Sequence, residues 1–79
     1  MLRHKLEILP EYFDYVCTGE KSFEIRKNDR GFKVGDLLEL HEYIPEKDEF
    51  TGRVVVREVT YMTDCAQKES YAVMAIDIA

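Results

Sequence analysis

Hydrophobic positions along the chain change their period several times, and each change marks an element. His4-Lys5-Leu6-Glu7-Ile8-Leu9 alternates with period two, placing His4, Leu6 and Ile8 on one face and Lys5 and Glu7 on the other. That pattern predicts a strand with His4 at its inward edge. Pro10 suits the first position of a helix, where its missing N–H costs nothing, and Glu11 complements the positive helix end. Tyr12, Phe13, Val16 and Cys17 then form one apolar stripe, and Gly19 is placed for a left-handed cap. A short helix is expected over Pro10 to Thr18.

After Gly19 the period returns to two. Phe23 and Ile25 share one face, expected to be the inward one, while Ser22, Glu24 and Arg26 share the other. Asn28-Asp29-Arg30-Gly31 reads as a loop, and Lys33-Val34-Gly35-Asp36 as a tight turn into a strand over Leu37 to Ile44. Pro45 to Glu49 ends that strand. The β-branched run Arg53 to Tyr61 follows Thr51-Gly52, so the two strands make a hairpin with a charged tip. Asp64 to Glu69 is a second loop. Ser70 to Ile78 is the last strand, apolar on both parities as a central or barrel strand is.

Five strands, one early helix and short connections predict a mostly β (α+β) fold: a small five- to six-stranded, mixed or antiparallel β-barrel with the helix plugging one side. Closing the sheet buries a small core without leaving long open edges. At 79 residues, 1–79 reads as one domain with no room for a second core. A hydrophobic fraction of 46% excludes a disordered chain, and 34% charged residues exclude a membrane-embedded one. No apolar run reaches membrane-spanning length and the N-terminus has no hydrophobic leader, so a cytoplasmic protein is expected. Cys17 and Cys65 are too few for a disulfide framework and read as reduced thiols.

The net charge of −5 argues against wholesale coating of a nucleic acid, but the charge is uneven. Residues 21–33 carry a net +3, against −2, −5 and −1 for residues 1–20, 34–52 and 53–79. A local basic cleft matters more to a phosphate-bearing ligand than the total does. The densest polar constellation lies in that segment: Gly19-Glu20-Lys21-Ser22-Phe23-Glu24-Ile25-Arg26. On a strand Glu24 and Arg26 share a face with Cα atoms about 7 Å apart. A guanidinium offers a planar fork for phosphate or carboxylate, Lys21 a mobile point charge, and Glu24 an acceptor for a base amino group. The alternative is a surface ion pair worth little.

Gly19-x-Lys21-x-x-Glu24-x-Arg26 resembles the GxKxxExR signature of the ASCH domain family, within the PUA-like superfamily of small β-barrels. The similarity continues through His4-x-Leu6-x-Ile8-Leu9-Pro10-Glu11-Tyr12-Phe13, Phe23 to Arg30, Val34-Gly35-Asp36, Thr51-Gly52-Arg53 and Tyr71-Ala72-Val73-Met74. Over nearly the whole chain the sequence resembles a subfamily of short stand-alone ASCH-like domains of bacteria and phages. The resemblance implies a PUA-like barrel with a cleft between helix and sheet, lined by Lys21, Glu24 and Arg26 and binding RNA or a nucleotide-like ligand. His4 and Tyr71 join the candidate ligand-binding residues from the patterning, Tyr71 as a stacking face whose alternative is core packing. Lys27 and Arg30, in the basic loop Lys27 to Lys33, extend the same surface, whose alternative is a solvated turn.

A rival class is an enzyme. Some small ASCH-fold proteins resemble amidohydrolases that remove an acyl group from N4 of modified cytidines, with a lysine at the place of Lys21 and a threonine nucleophile three residues on. Here that position is Glu24, so the covalent route is lost and only a carboxylate-activated water remains, with Lys21 and Glu24 as catalytic candidates. A third class is a protein-interaction module that uses the barrel as a scaffold. His4, His41, Cys17 and Cys65 have no ligand spacing, so no metal is expected. Dinucleotide fingerprints, phosphate loops and nucleophile elbows are missing, so no cofactor is expected either.

Overall fold

In a computed structural model that describes residues 1–63 and 70–78, the chain is mostly β with one short helix. The elements in order are β1 (Arg3–Ile8), α1 (Pro10–Thr18), β2 (Phe23–Lys27), β3 (Leu37–Ile44), β4 (Glu49–Thr63) and β5 (Tyr71–Ile78), with a 3-10 turn at Pro45–Lys47. The expected loop Asp64 to Glu69, with Cys65, lies outside the described residues. Among the described residues no helix is long and apolar enough to cross a membrane.

The five strands form one mixed sheet in the order β1-β3-β4-β5-β2. β1 pairs parallel with β3, and all other neighbours are antiparallel. The sheet curls into a half-barrel in which β1 and β2 are the two edges and run in opposite directions. Its core joins Leu6 and Ile8 of β1, Leu38 and Leu40 of β3, Val59 of β4, Met74 and Ile76 of β5, Phe13 and Val16 of α1, and Phe32.

The helix begins and ends where its sequence signals lie. Pro10 occupies the first turn, and Gly19 takes a left-handed φ of 85° at the C-terminal cap, where its N–H donates to the Val16 carbonyl at 3.1 Å. The last turn carries no cation of its own. Arg57 on β4 supplies one, donating from Nη2 to the Val16 carbonyl at 3.2 Å.

Strand β4 is longer than its β-branched stretch because the hairpin turn sits earlier, at Pro45–Lys47 with Asp48 in a left-handed conformation (φ 49°). Thr51-Gly52 therefore lies inside the strand. Between the pairs His41↔Val54 and Tyr43↔Phe50 the single residue Glu42 faces three residues of β4, a bulge that Gly52 permits with its φ of 92°. A second bulge at Thr60 turns β4 from β3 onto β5.

The parity of β2 is the reverse of the one expected. Glu24 is buried at 4% exposure and Arg26 half-buried, while Phe23 and Ile25 are 45% and 48% exposed. Alternation determines which residues share a face, not which face turns inward. The charged face turns in because its charges are neutralised locally, Lys21 and Arg26 each donating to Glu24.

Candidate functional site at the gap between β1 and β2

Glu24 is the centre of the signature cluster. Lys21 Nζ donates to Glu24 Oε1 at 2.6 Å, and Arg26 Nε donates to Glu24 Oε2 at 2.8 Å. A buried carboxylate with both oxygens paired to cations escapes the large cost of an isolated charge. Lys21 is itself held by the Phe23 carbonyl at 2.7 Å and lies over the rings of Phe23 and Tyr12, at 4.9 and 5.7 Å from their centroids. Its backbone N–H, donating to the Tyr15 carbonyl at 2.9 Å, ties this segment to the last turn of α1.

Two arginines then span the open edge of the half-barrel. Arg26 Nη2 donates to the Glu7 carbonyl at 2.7 Å, and Arg30 Nη1 donates to the Lys5 carbonyl at 2.6 Å. Lys5 and Glu7 are two residues apart on an edge strand, so their carbonyls point the same way into the gap. The guanidinium groups satisfy acceptors that a sixth strand would otherwise take.

Arg26 stands where three clefts meet. One, of about 340 Å³, lies between α1 and β2 and is lined by Tyr12, Lys21, Phe23, Glu24 and Arg26, with Glu7 and Ile8 on its β1 wall. A larger one, of about 610 Å³, lies across β1 and is lined by Lys5, Glu7, Arg26, Arg30, His41 and Phe50. A third, of about 250 Å³, is bordered by Arg26, Lys27, Asp29, Arg30 and Phe32. In these clefts Arg26 Nη1 and the Arg30 Nε and Nη2 groups hold no hydrogen bond among the described residues. They are donors available to an anion.

The structure thus brings Lys21, Glu24, Arg26, Arg30 and Lys27 around one region. His4 and Tyr71 lie behind its border residues and line none of the three clefts. His4 is buried, with Nε2 2.8 Å from Asp36 Oδ2 and its ring edge-on to Phe32 at 4.6 Å. Asp36 also accepts the N–H groups of Leu2 at 3.0 Å and Lys33 at 3.1 Å. The Leu2 N–H first, and then His4, hold the Asp36 carboxyl below its ordinary value. Tyr71 pairs with Lys27 across the β2–β5 ladder, is 37% exposed, and lines none of the three clefts.

Two features were not anticipated. Glu42, on the inward parity of Leu38 and Leu40, is buried and takes a bidentate pair from Arg53, Nε at 2.9 Å and Nη2 at 2.8 Å, with Thr51 Oγ1 at 2.7 Å. These donors, Arg53 first, hold its pKa down to about 2. Arg53 also reaches Asp14 at 3.1 Å and stacks on Phe13 at 4.4 Å, lashing α1 to the sheet. The second is an aromatic group beside the large cleft: Phe50 packs on Tyr43 at 4.9 Å and edge-on to His41 at 6.2 Å. Tyr43 is oriented by donating its hydroxyl to Asp48, which pushes its pKa up to about 12.

Known proteins give this arrangement a family. An uncharacterized 12.9 kDa protein in the GpA 3′ region of Escherichia phage P2 is 43% identical over 61 residues, covering 77% of this chain and 54% of the phage protein. The chain spans about half the length of that curated relative. A family described as a domain of unknown function, DUF3850, matches residues 3–76, a span that includes the whole Lys21–Glu24–Arg26 cluster and both arginine bridges to β1. The chain belongs to the DUF3850 family.

Proposed function

We propose that this chain is an ASCH-type, PUA-like module that binds RNA or a nucleotide-containing ligand at the β1–β2 gap, with Lys21, Arg26 and Arg30 meeting phosphate and Tyr12 and Phe23 flanking a base. The observation that carries the reading is the position of Arg26. Its guanidinium is held by Glu24 and the Glu7 carbonyl, borders three clefts, and has at Nη1 no hydrogen bond among the described residues, a donor for an anion. Such a fork is preorganised, so little rotamer entropy is lost when phosphate binds. Aromatic faces beside it are the usual means of holding an unstacked base.

The same geometry favours binding over hydrolysis. Each Glu24 oxygen already accepts a hydrogen bond from a cation, which leaves its remaining lone pairs weaker acceptors for a proton from water.

The test is an amide-shift NMR titration with a short single-stranded RNA, alongside a time course of the ultraviolet spectrum of N4-acetylcytidine. Shifts clustered at Lys21, Glu24, Arg26 and Arg30, weakened roughly tenfold in Arg26→Ala, are expected. A folded Arg26→Ala protein with unchanged affinity overturns the site. Loss of the acyl chromophore would make the protein a hydrolase instead.

A further inference from the structure

Phe50 is 53% exposed on the hairpin between β3 and β4, so about half of a large apolar ring stays open to solvent. Its neighbours hold it in place: Tyr43, fixed by Asp48, packs on it tilted at 4.9 Å, and His41, 3.2 Å from Glu39, meets it edge-on at 6.2 Å. A ring fixed in orientation yet open to solvent is a stacking platform, since its entropy is already lost. It lines the 610 Å³ cleft together with the cations Lys5, Arg26 and Arg30, and that volume suits a nucleotide.

Resting on the binding reading above, we infer that the ligand is single-stranded and at least a dinucleotide: its first nucleotide lies in the α1–β2 cleft, its linking phosphate on Arg26 and Arg30, and its second base against Phe50. Arg26 lines both clefts, so one phosphate at its free donors is shared by two nucleosides on either side. Three cations, Lys5, Arg26 and Arg30, outweigh the one carboxylate of the large cleft, Glu7, so its lining favours a polyanion, and the Phe50 platform adds a face for a base. A duplex presents neither an unstacked base nor a single strand that follows the gap.

The experiment compares adenosine 5′-monophosphate, adenosine 3′,5′-bisphosphate and the dinucleotide pApA on labelled wild-type protein and Phe50→Ala, with Phe50→Tyr as the conservative variant. The bisphosphate carries the second charge without the second base. In wild-type protein pApA is expected to bind roughly tenfold more tightly than the bisphosphate, with shifts at His41 and Phe50 that the monophosphate lacks. Phe50→Ala should abolish that difference, and Phe50→Tyr should restore it. An unchanged melting temperature shows that the variant remains folded.

Equal affinities for pApA and the bisphosphate in wild-type protein overturn the second base site, while monophosphate shifts at Lys21 and Arg26 would leave the first cleft standing. Absence of any shift at Lys21 and Arg26 with all three probes overturns both readings. If an acidic, aromatic peptide moves the His41 and Phe50 amides and pApA does not, the large cleft is a peptide site and the inference falls.

Discussion

Arg26 and Glu7 join two edge strands that share no backbone ladder: the guanidinium Nη2 donates to the Glu7 carbonyl at 2.7 Å while Nε holds Glu24 at 2.8 Å. One side chain thereby neutralises a buried carboxylate and satisfies an edge acceptor. The same residue closes the half-barrel and offers its free donors to the clefts, so stability and recognition are coupled there.

That double contact requires a fork. Arg26→Lys keeps the charge but gives one ammonium that cannot reach Glu24 and Glu7 together with the same geometry. Glu24 is the buried partner and the Glu7 carbonyl is exposed, so losing the bridge alone should cost about 0.5–1.5 kcal/mol in urea unfolding, the net worth of an ordinary hydrogen bond. A variant as stable as wild type would show that the bridge to β1 contributes nothing.

The inverted face of β2 has a direct consequence for stability. Phe23→Ala, at a half-exposed position, should cost less than about 1 kcal/mol. Leu38→Ala, fully buried in the core, should cost about 2–5 kcal/mol. Equal losses in a thermal melt would restore Phe23 to the interior.

How far these features were legible follows from the kind of signal each leaves. Pro10 and Gly19 mark both ends of α1 because backbone constraints act locally, whatever surrounds them. The strands were visible as alternation, and the closeness of Lys21, Glu24 and Arg26 follows from their spacing. Which face of β2 turns inward depends on whether Glu24 can be neutralised, and that requires knowing that Lys21 folds back from the end of α1. The parallel pairing of β1 with β3 and the reach of Arg30 to Lys5 are long-range and leave no local pattern. Glu42 did leave one, a carboxylate on the parity of Leu38 and Leu40. Phe50 was hidden beside the charged run Glu46-Lys47-Asp48-Glu49, where it reads as part of a solvated tip.

The carboxylate of Glu42 makes stability depend on pH with a definite sign. Its folded pKa of about 2 lies below its ordinary 4.5, so the unfolded chain takes up the proton first as pH falls. Its contribution is complete above about 4.5 and declines as pH drops toward 2. Asp36, also lowered, acts in the same direction. Urea midpoints measured from pH 6 to pH 2 should show Glu42→Gln less stable than wild type at pH 6, with the difference narrowing toward pH 2. Parallel curves would remove Glu42 as a source of acid sensitivity.

The exposed carboxylate of Glu7 borders both the α1–β2 cleft and the large cleft, beside the Arg26 donors assigned to phosphate. It opposes an incoming anion, whereas its backbone carbonyl is what Arg26 grips. Glu7→Gln removes the repulsion and keeps the grip. Two unit charges about 4 Å apart in water interact by about 1 kcal/mol, so a gain of roughly fivefold in affinity for pApA is expected at low salt. The gain should shrink at high salt, where the interaction is screened, and the melting temperature should not move. Unchanged or weaker binding at low salt would place the phosphate away from Arg26, and with it the path between the two clefts.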